Sequence, residues 1–315
     1  MIRLRFSLLF FPGIARPRGC DVRLSACLAA SLFAIAIGFA PAADVPAAAP
    51  ANNITVGIMS GMFKGIPDPL IKAGGQQFNT LFKKFTGLPG DVMVEDDFRK
   101  LATKVNENKI QLGVIHGYEW AWLAKQNPHL APLVVTIPAK LPQACIVVNA
   151  KNPVLAPANL KGANIDVPFN MKAHGFLYLD KLQKSCPPGS FAVNTPEDLG
   201  PEEALDEIGK GKATAAMVDH STFAAYKVNN PGKAVRLKLL STSELFPPTV
   251  LVYSKKGLDE KTVSQIRTGL LKAHKDPQGK AFLFLWNLKG FEEPSPAFGK
   301  LVEESVKAYP PPAMK

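Results

Sequence analysis

The first residues that could do chemistry lie where an apolar strand meets an aromatic helix. Gln111–His116 predicts a short buried strand, and Gly117 and Tyr118 open a helix that carries Trp120 and Trp122. Open α/β sheets bind ligands at the carboxyl ends of their strands. A glycine there lets backbone approach a ligand, and a helix start offers N–H groups to an anion. The stretch therefore predicts ligand recognition.

Each side chain of this stretch also has a structural alternative. The phenol of Tyr118 can hydrogen-bond an oxyanion, or it can pack at the domain edge. His116 can face a cleft, or it can be a satisfied core histidine. Trp120 and Trp122 are predicted to pack rather than to contact ligand.

No constellation in the sequence predicts catalysis, a metal or a cofactor. Asp219, His220 and Ser221 are adjacent, whereas a catalytic triad needs residues that converge from separate segments. Gly61–Gly65 lacks the Gly-Lys-Ser/Thr ending of a phosphate-binding loop. The histidines do not show the paired spacing of metal ligands. We expect a binding protein, not an enzyme.

The charge of the chain favours small anions. The 315 residues carry a formal charge of +11, but five arginines and one aspartate fall in residues 1–42, so the remainder carries +7. Such an excess attracts small anions or an anionic surface. Because the lysines and arginines are not concentrated in runs, nucleic acid is not expected as a partner.

The first 42 residues predict an export signal. Basic residues end at Arg23, an apolar run extends over Leu24–Phe39, and Ala40–Ala42 offers small residues for cleavage. The run is short for a transmembrane helix. Ala43–Asn52 then reads as an Ala/Pro linker. We expect an exported, periplasmic protein that is at most peripheral to the membrane.

Two cysteines remain after the predicted leader. An exported protein can form a disulfide between Cys145 and Cys186. Two buried thiols are the alternative, and the spacing fits no zinc motif.

The first part of the mature chain alternates between strand and helix patterns. The predicted order is strand Asn53–Met59, helix Pro67–Gly87, strand Asp91–Glu95, helix Asp97–Asn108 and strand Gln111–His116. A βαβαβ order implies a parallel sheet with right-handed crossovers.

A second unit begins near Ala144. Its predicted elements are strands Cys145–Asn149, Asn164–Val167, Phe191–Asn194, Thr214–Val218 and Val235–Ser241, with helices Pro157–Lys161, Ala173–Lys184 and Pro201–Lys210. The strand Thr249–Tyr253 and the helix Leu258–Asp276 then return to the first unit. These patterns predict one lobe from residues 53–143 and 248–315 and another from residues 144–247. Two crossing strands form a hinge, and the cleft between two lobes is a natural small-molecule site.

Four segments together resemble a known family. Lys109–Ala124, Asn159–Gly162, Gly209–Asp219 and Phe246–Val250 resemble, in order, motifs of the phosphate-, phosphite- and phosphonate-binding (PhnD-like) periplasmic solute-binding proteins of ABC importers. The resemblance covers roughly residues 53 to 290. It implies a class II periplasmic-binding-protein fold, with two lobes that each hold a mixed, mostly parallel sheet flanked by helices, joined by two hinge strands. It also implies a monomer without a cofactor that closes on a small anion and serves an ABC permease.

The resemblance fails at one anion-binding segment. Where the family places hydroxyl residues at a helix start, this chain has Pro168–Gly175, which supplies Asn170, Lys172 and His174 instead. The helix start can still bind an anion through its dipole and N–H groups. The change leaves open a different anion or the loss of phosphonate binding.

The resemblance implies ligand contacts in two more segments. Ser60, Gly61, Met62 and Phe63 follow the first strand, at a contact region of the family, and Lys64 could add charge there. Asp219 matches the family's final aspartate and could accept from a ligand amine or a protonated phosphonate oxygen. Its alternative role is the N-cap of a helix over Ser221–Tyr226.

The sequence thus predicts an exported protein that captures a phosphonate- or phosphate-like anion for an ABC importer. An orphan or sensory binding protein with the same fold and another ligand is the alternative, and an exported enzyme on this scaffold is a third hypothesis.

Overall fold

The structure is a computed structural model that describes residues 53–66 and 68–312. The predicted leader, 1–42, and the predicted linker, 43–52, lie outside the described residues, so both stay predictions. Among the helices that the structure describes, none is long and apolar enough to cross a bilayer.

Strands and helices alternate over most of the described chain. The strands are β1 Ile54–Met59, β2 Gly90–Glu95, β3 Leu112–Ile115, β4 Leu130–Pro138, β5 Ala144–Asn149, β6 Asn164–Asp166, β7 Ala192–Asn194, β8 Ala215–Asp219, β9 Leu237–Thr242, β10 Val250–Ser254 and β11 Leu288–Glu292. The helices are α1 Asp68–Thr86, α2 Phe98–Asn106, α3 Gly117–Leu123, α4 Ala173–Ser185, α5 Pro201–Lys210, α6 His220–Asn229, α7 Pro231–Ala234, α8 Glu260–Lys272, α9 Pro277–Leu285 and α10 Pro296–Ala308.

The first lobe is built on a sheet with the strand order β11-β4-β10-β3-β1-β2. β1 pairs in parallel with β2 and β3, with Val56 opposite both Val92 and Leu112. The predicted parallel βαβαβ unit is therefore confirmed. β10 and β11 complete the sheet through antiparallel pairs with β3 and β4.

The second lobe is built on a sheet with the order β7-β6-β8-β5-β9. β6 is parallel to β7 and β8, while β5 is antiparallel to β8 and β9. Both sheets are mixed, as predicted, although antiparallel pairs make up at least half of the pairings in each. Two mixed sheets flanked by helices agree with the class II periplasmic-binding-protein fold that the resemblance implies.

Local chemistry explains where the elements begin. Asp97 caps α2, because its carboxylate accepts from the N–H groups of Arg99 at 2.7 Å and Lys100 at 3.1 Å. The helix then buries Leu101 and Val105 against the first sheet. These residues anchor the segment that leads into β3.

Two passes of chain join the lobes, between β4 and β5 and between β9 and β10. The passes bond to each other: Phe246 N–H donates to the Pro142 carbonyl at 2.9 Å, and Thr136 N–H donates to the Thr249 carbonyl at 2.9 Å. Side chains contribute as well, since Ala144 N–H donates to Ser243 Oγ at 3.0 Å. The residue boundaries predicted for the lobes stay predictions.

Several elements were not predicted from the sequence. They are β4 and the three elements that follow Asp276, namely α9, β11 and α10. β4 is interrupted by Pro132 and ends at Pro138, and it gains its pairs only from β10 and β11, far along the chain. α10 brings Tyr309 against α3, where Trp122 Nε1 donates to the Tyr309 carbonyl at 2.8 Å.

The two cysteines do not pair. Cys145 is buried in β5 and Cys186 follows the end of α4, and both are free thiols. Of the two alternatives, the disulfide is absent, and the expectation of two buried thiols holds only for Cys145 because Cys186 is half-buried.

Candidate ligand-binding site

One cavity of about 600 Å³ lies between the lobes and continues into the first lobe. We call its two parts the cleft region and the inner region. The cleft region is lined by His116, Tyr118, Lys172, His174, Asp219, Ser221 and Phe246. The inner region lies between the first sheet and helices α1 and α9, and it is lined mainly by apolar side chains.

The second lobe presents a histidine–carboxylate pair to the cleft region. Lys172 is the N-cap of α4, and the buried His174 lies in its first turn. His174 Nε2 is 2.7 Å from Oδ1 of Asp219, which ends β8. Burial raises the pKa of Asp219, but the hydrogen bond and charge of His174, together with the charge of Lys172, hold it below its ordinary value. Asp219 is therefore a carboxylate at neutral pH.

Asp219 does not have the alternative role of a helix cap. It precedes α6, but its side chain makes no capping hydrogen bond. The carboxylate turns to His174 instead.

The first lobe presents two unsatisfied polar atoms. The rings of His116 and Tyr118 stack with centroids 5.1 Å apart and planes 9° apart. His116 Nε2 and Tyr118 Oη are buried and have no hydrogen-bond partner among the described residues. Buried polar atoms are rarely left unpaired, so these two atoms are available to hydrogen-bond a ligand in the cleft region.

Both side chains are neutral at pH 7. Burial first, then the charges of His174 and Lys172, lowers the pKa of His116 to about 3. Burial first, then the charge of Glu119, raises the pKa of Tyr118 well above its ordinary value. Tyr118 is therefore a hydroxyl donor, and the neutral imidazole of His116 can donate or accept according to its tautomer.

Other parts of the protein contact the start of α3, where a ligand was expected. The Glu119 carboxylate accepts from His116 N–H at 3.0 Å, and burial raises the pKa of Glu119 to about 7. A Cβ at Gly117 would lie 2.4 Å from the Pro247 carbonyl and 2.5 Å from that of Pro248. The sequence pattern predicts that Gly117 lets backbone approach a ligand. The structure corrects this, because the backbone that needs the space belongs to the second hinge pass.

Most of the predicted site residues meet at the cavity. Met62, Phe63, His116, Tyr118, Lys172, His174 and Asp219 line it. Ser60 and Gly61 are not among its lining residues, although they begin the same 3₁₀ turn as Met62 and Phe63. Asn170 also lies outside and packs where the lobes touch: a Cβ at Gly65 would be 2.8 Å from the Asn170 Cβ. Whether each lining residue binds ligand stays a prediction.

Phe246 and Ser221 also line the cavity, although neither is among the residues predicted to bind ligand. Phe246 was noted only as part of a family motif, yet its ring lies 5.4 Å from His174 and 5.9 Å from Tyr118. Ser221 in α6 supplies a hydroxyl. Its place beside Asp219 at a strand end was the signal that could have found it.

The remaining candidate residues make packing contacts and do not line the cavity. Trp120 and Trp122 are buried and pack, as predicted, with the Trp122 ring 5.3 Å from that of Tyr118. Lys64 places its Nζ 4.7 Å from the ring of Phe176, so it joins the lobes. No cluster of three potential metal ligands occurs in residues 53–66 and 68–312.

Comparison with known proteins identifies the family. Residues 68–297 match the family described as ABC transporter, phosphonate, periplasmic substrate-binding protein. No curated protein matches the chain at a significant level.

Solved structures share the fold at low sequence identity. PhnD1 from Prochlorococcus marinus in complex with methylphosphonate has 14% identity and a TM-score of 0.56, over 81% of this chain and 97% of that one. XAC2383 from Xanthomonas citri bound to ATP has 15% identity and a TM-score of 0.57, over 82% of this chain and 97% of that one. A binding component of an ABC phosphonate transporter from Pseudomonas aeruginosa, PA3383, has 15% identity and a TM-score of 0.52, over 81% of this chain and 87% of that one.

The family match covers well over half of the chain, and the two-lobed fold agrees with it. Members of this family are substrate-binding components that work with an ABC permease and its ATPase. The chain belongs to the periplasmic substrate-binding proteins of ABC phosphonate transporters.

Proposed function

We propose that this protein captures a phosphonate- or phosphate-like anion in the cleft region and delivers it to an ABC importer. The observation that carries the proposal is the pair of unpartnered polar atoms, His116 Nε2 and Tyr118 Oη, in a cavity that Lys172 also lines. A small oxyanion offers acceptors to the Tyr118 hydroxyl and to an Nε2–H tautomer of His116, and it offers a charge to the lysine.

The second lobe supplies the favourable electrostatics. Lys172 brings a full positive charge to the N-terminus of α4, where the helix dipole also favours an anion. Asp219 carries the opposing charge, but His174 holds one of its oxygens. The other oxygen of Asp219 can accept a hydrogen bond from a ligand hydroxyl, such as the P–OH of a monoprotonated phosphonate.

This chain has Lys172 at the helix start where the resemblance implies hydroxyl residues, and this difference affects the selectivity among anions. A lysine ammonium is a compact point charge, whereas a set of hydroxyls is directional. We therefore expect weaker discrimination among phosphonate, phosphite and phosphate than a site built from hydroxyls would show. Ser221 remains as a directional hydroxyl in the cleft region.

Ligand capture closes the lobes in this proposal. The anion contacts His116 and Tyr118 in one lobe and Lys172 in the other, so it stabilises the conformation in which they face each other. Contacts outside the cavity favour the same conformation: Lys64 lies over Phe176, and Gly65 packs on Asn170.

Titration with an anion panel tests the proposal. Methylphosphonate, phosphite, phosphate and sulfate are added while the thermal midpoint, the tryptophan fluorescence and the heat of binding are measured. We expect phosphonate or a close relative to bind, and Tyr118→Phe to weaken it by roughly fivefold to thirtyfold, the cost of about one lost hydrogen bond. Tyr253→Phe, outside the cavity, is the matched control. If no anion binds, the proposal is wrong.

The export proposal has its own test. The N-terminal sequence of the protein recovered from the periplasmic fraction should begin near Ala43 if the predicted leader is cleaved. Recovery of an uncleaved chain from the cytoplasm would contradict it.

A further inference from the structure

The inner region is an apolar chamber that opens into the cleft region. Ile58, Val114 and Leu251 line it from the first sheet, while Phe78 from α1, Phe282 from α9 and Trp286 line it from the helices. Sheets and helices normally pack without voids much larger than a water molecule. Here the helices cover the sheet but leave a continuous space.

The size of the cavity exceeds what the anion alone requires. Methylphosphonate has five heavy atoms, and at the volume of about 30 Å³ that one water occupies in the liquid it would need roughly 150 Å³. The cavity measures about 600 Å³, within the range of pockets for much larger organic ligands. At the same volume per atom, the difference leaves room for roughly fifteen further heavy atoms.

The inner region also contains unpaired polar atoms. Asn79 Oδ1 and Trp286 Nε1 are buried, both residues line the cavity, and neither atom has a hydrogen-bond partner among the described residues. The indole of Trp122 shows the usual situation, since its Nε1 donates to the Tyr309 carbonyl. An acceptor and a donor are thus available to a polar group placed among apolar side chains.

We propose that the inner region holds the organic substituent of the bound anion. The ligand class is an organophosphonate or phosphate monoester with an apolar chain or ring, which carries a hydroxyl or amide group for Asn79 and Trp286. The anionic group occupies the cleft region, so the inference rests on the proposed function.

The decisive measurement compares methylphosphonate with n-hexylphosphonate. Each buried methylene multiplies affinity by about fourfold, and five are added, so even partial burial should make hexylphosphonate at least roughly thirtyfold tighter. Equal affinities would overturn the inference and leave the proposed function intact. Failure of both ligands and of phosphate would instead overturn the proposed function.

Cavity-filling variants locate the substituent. Val114→Phe and Val94→Phe should each reduce the hexyl-to-methyl ratio by about tenfold while methylphosphonate affinity is kept. Val94 lines the cavity yet is 47% exposed, so its substitution does not require the core to repack. Val228→Phe, at a position 79% exposed and outside the cavity, is the control. An unchanged ratio in a folded Val94→Phe variant would place the substituent elsewhere.

The polar pair is tested with 6-hydroxyhexylphosphonate. The hydroxyl should be tolerated better in the native protein than in Asn79→Leu or Trp286→Phe, each of which should lower the ratio of hydroxyhexyl to hexyl affinity by about fivefold. If neither variant changed the ratio of hydroxyhexyl to hexyl affinity, the ligand would not carry a polar group for Asn79 and Trp286.

Discussion

His174 Nε2 lies 2.7 Å from Asp219 Oδ1, and this contact joins the first turn of α4 to the end of β8. It holds an imidazole that is buried and a carboxylate that is partly exposed. Burial raises the pKa of Asp219, but the hydrogen bond and charge of His174, together with the charge of Lys172 at the same helix start, keep it below its ordinary value. In the proposed function, Lys172 rather than a set of hydroxyls attracts the anion at this helix start.

The first prediction concerns Lys172. Lys172→Ala should weaken methylphosphonate binding by roughly tenfold to a hundredfold, because a charge-assisted hydrogen bond contributes about 1.5–3 kcal/mol. Isothermal titration calorimetry measures the loss. Lys151→Ala removes an exposed charge outside the cavity and should leave affinity unchanged. Equal affinities of Lys172→Ala and the native protein would remove Lys172 from the site.

The second prediction concerns His116 and pH. Its pKa of about 3 in the folded protein lies below the value near 6.5 of an unfolded chain. At pH 5 the unfolded chain therefore binds a proton that the folded protein does not, and the free energy of unfolding falls as pH drops below about 6.5. The expected loss between pH 7.5 and pH 5 is about 2 kcal/mol from this residue.

Chemical denaturation at the two pH values measures this effect. His116→Gln should lose less stability between pH 7.5 and pH 5 than the native protein, whatever its stability at pH 7.5. His129→Gln alters an exposed histidine and should keep the native pH dependence. A His116→Gln profile parallel to the native one would show that His116 does not resist protonation.

The third prediction concerns Gly117. Gly117→Ala places a Cβ about 2.4 Å from the Pro247 carbonyl, so backbone must shift at the hinge. We expect the free energy of unfolding to fall by about 1–3 kcal/mol. Gly299→Ala in α10 meets open space and should raise it by about 0.5–1 kcal/mol. Thermal or urea unfolding of the two variants provides the comparison, and an undiminished stability of Gly117→Ala would contradict the close packing.

The fourth prediction concerns lobe closure. Lys64→Ala removes the cation over the Phe176 ring, a contact worth about 0.5–1 kcal/mol at an exposed site. Ligand affinity should fall by about twofold to fivefold, mainly through faster dissociation, and small-angle scattering should show a larger mean radius without ligand. Lys227→Ala removes a cation over Phe223 within the second lobe and serves as the control. Identical dissociation rates in all three proteins would show that the contact does not bias closure.

The sequence predicted the elements whose patterns are local. β1, β2, β3 and β8 are short apolar runs between turns, and the structure contains them within a residue or two of the predicted bounds. β4 was missed because prolines interrupt its pattern and its partners lie more than a hundred residues away. Long-range pairing of this kind leaves no periodic signal in a short window.

The site also has features with a local sequence signal and features that depend on contacts between distant segments. His116, Tyr118 and Asp219 were predicted because each stands at a strand end, where binding residues of such sheets gather. The cap role, which was the alternative for Asp219, and the ligand approach expected at Gly117 are wrong as local interpretations, since His174 and Pro247 reach those positions from distant segments.

The family, the two-lobed fold and the class of protein could be predicted from the sequence, because these depend on ordered motifs and on the alternation of elements. The contact of His174 with Asp219 and the shared cavity of Asn79 and Trp286 could be seen only in the folded molecule. Those pairs are separated by 45 and more than two hundred residues along the chain and meet only through packing of helices on sheets. Packing is a property of the whole fold, and no local pattern encodes the space that it leaves.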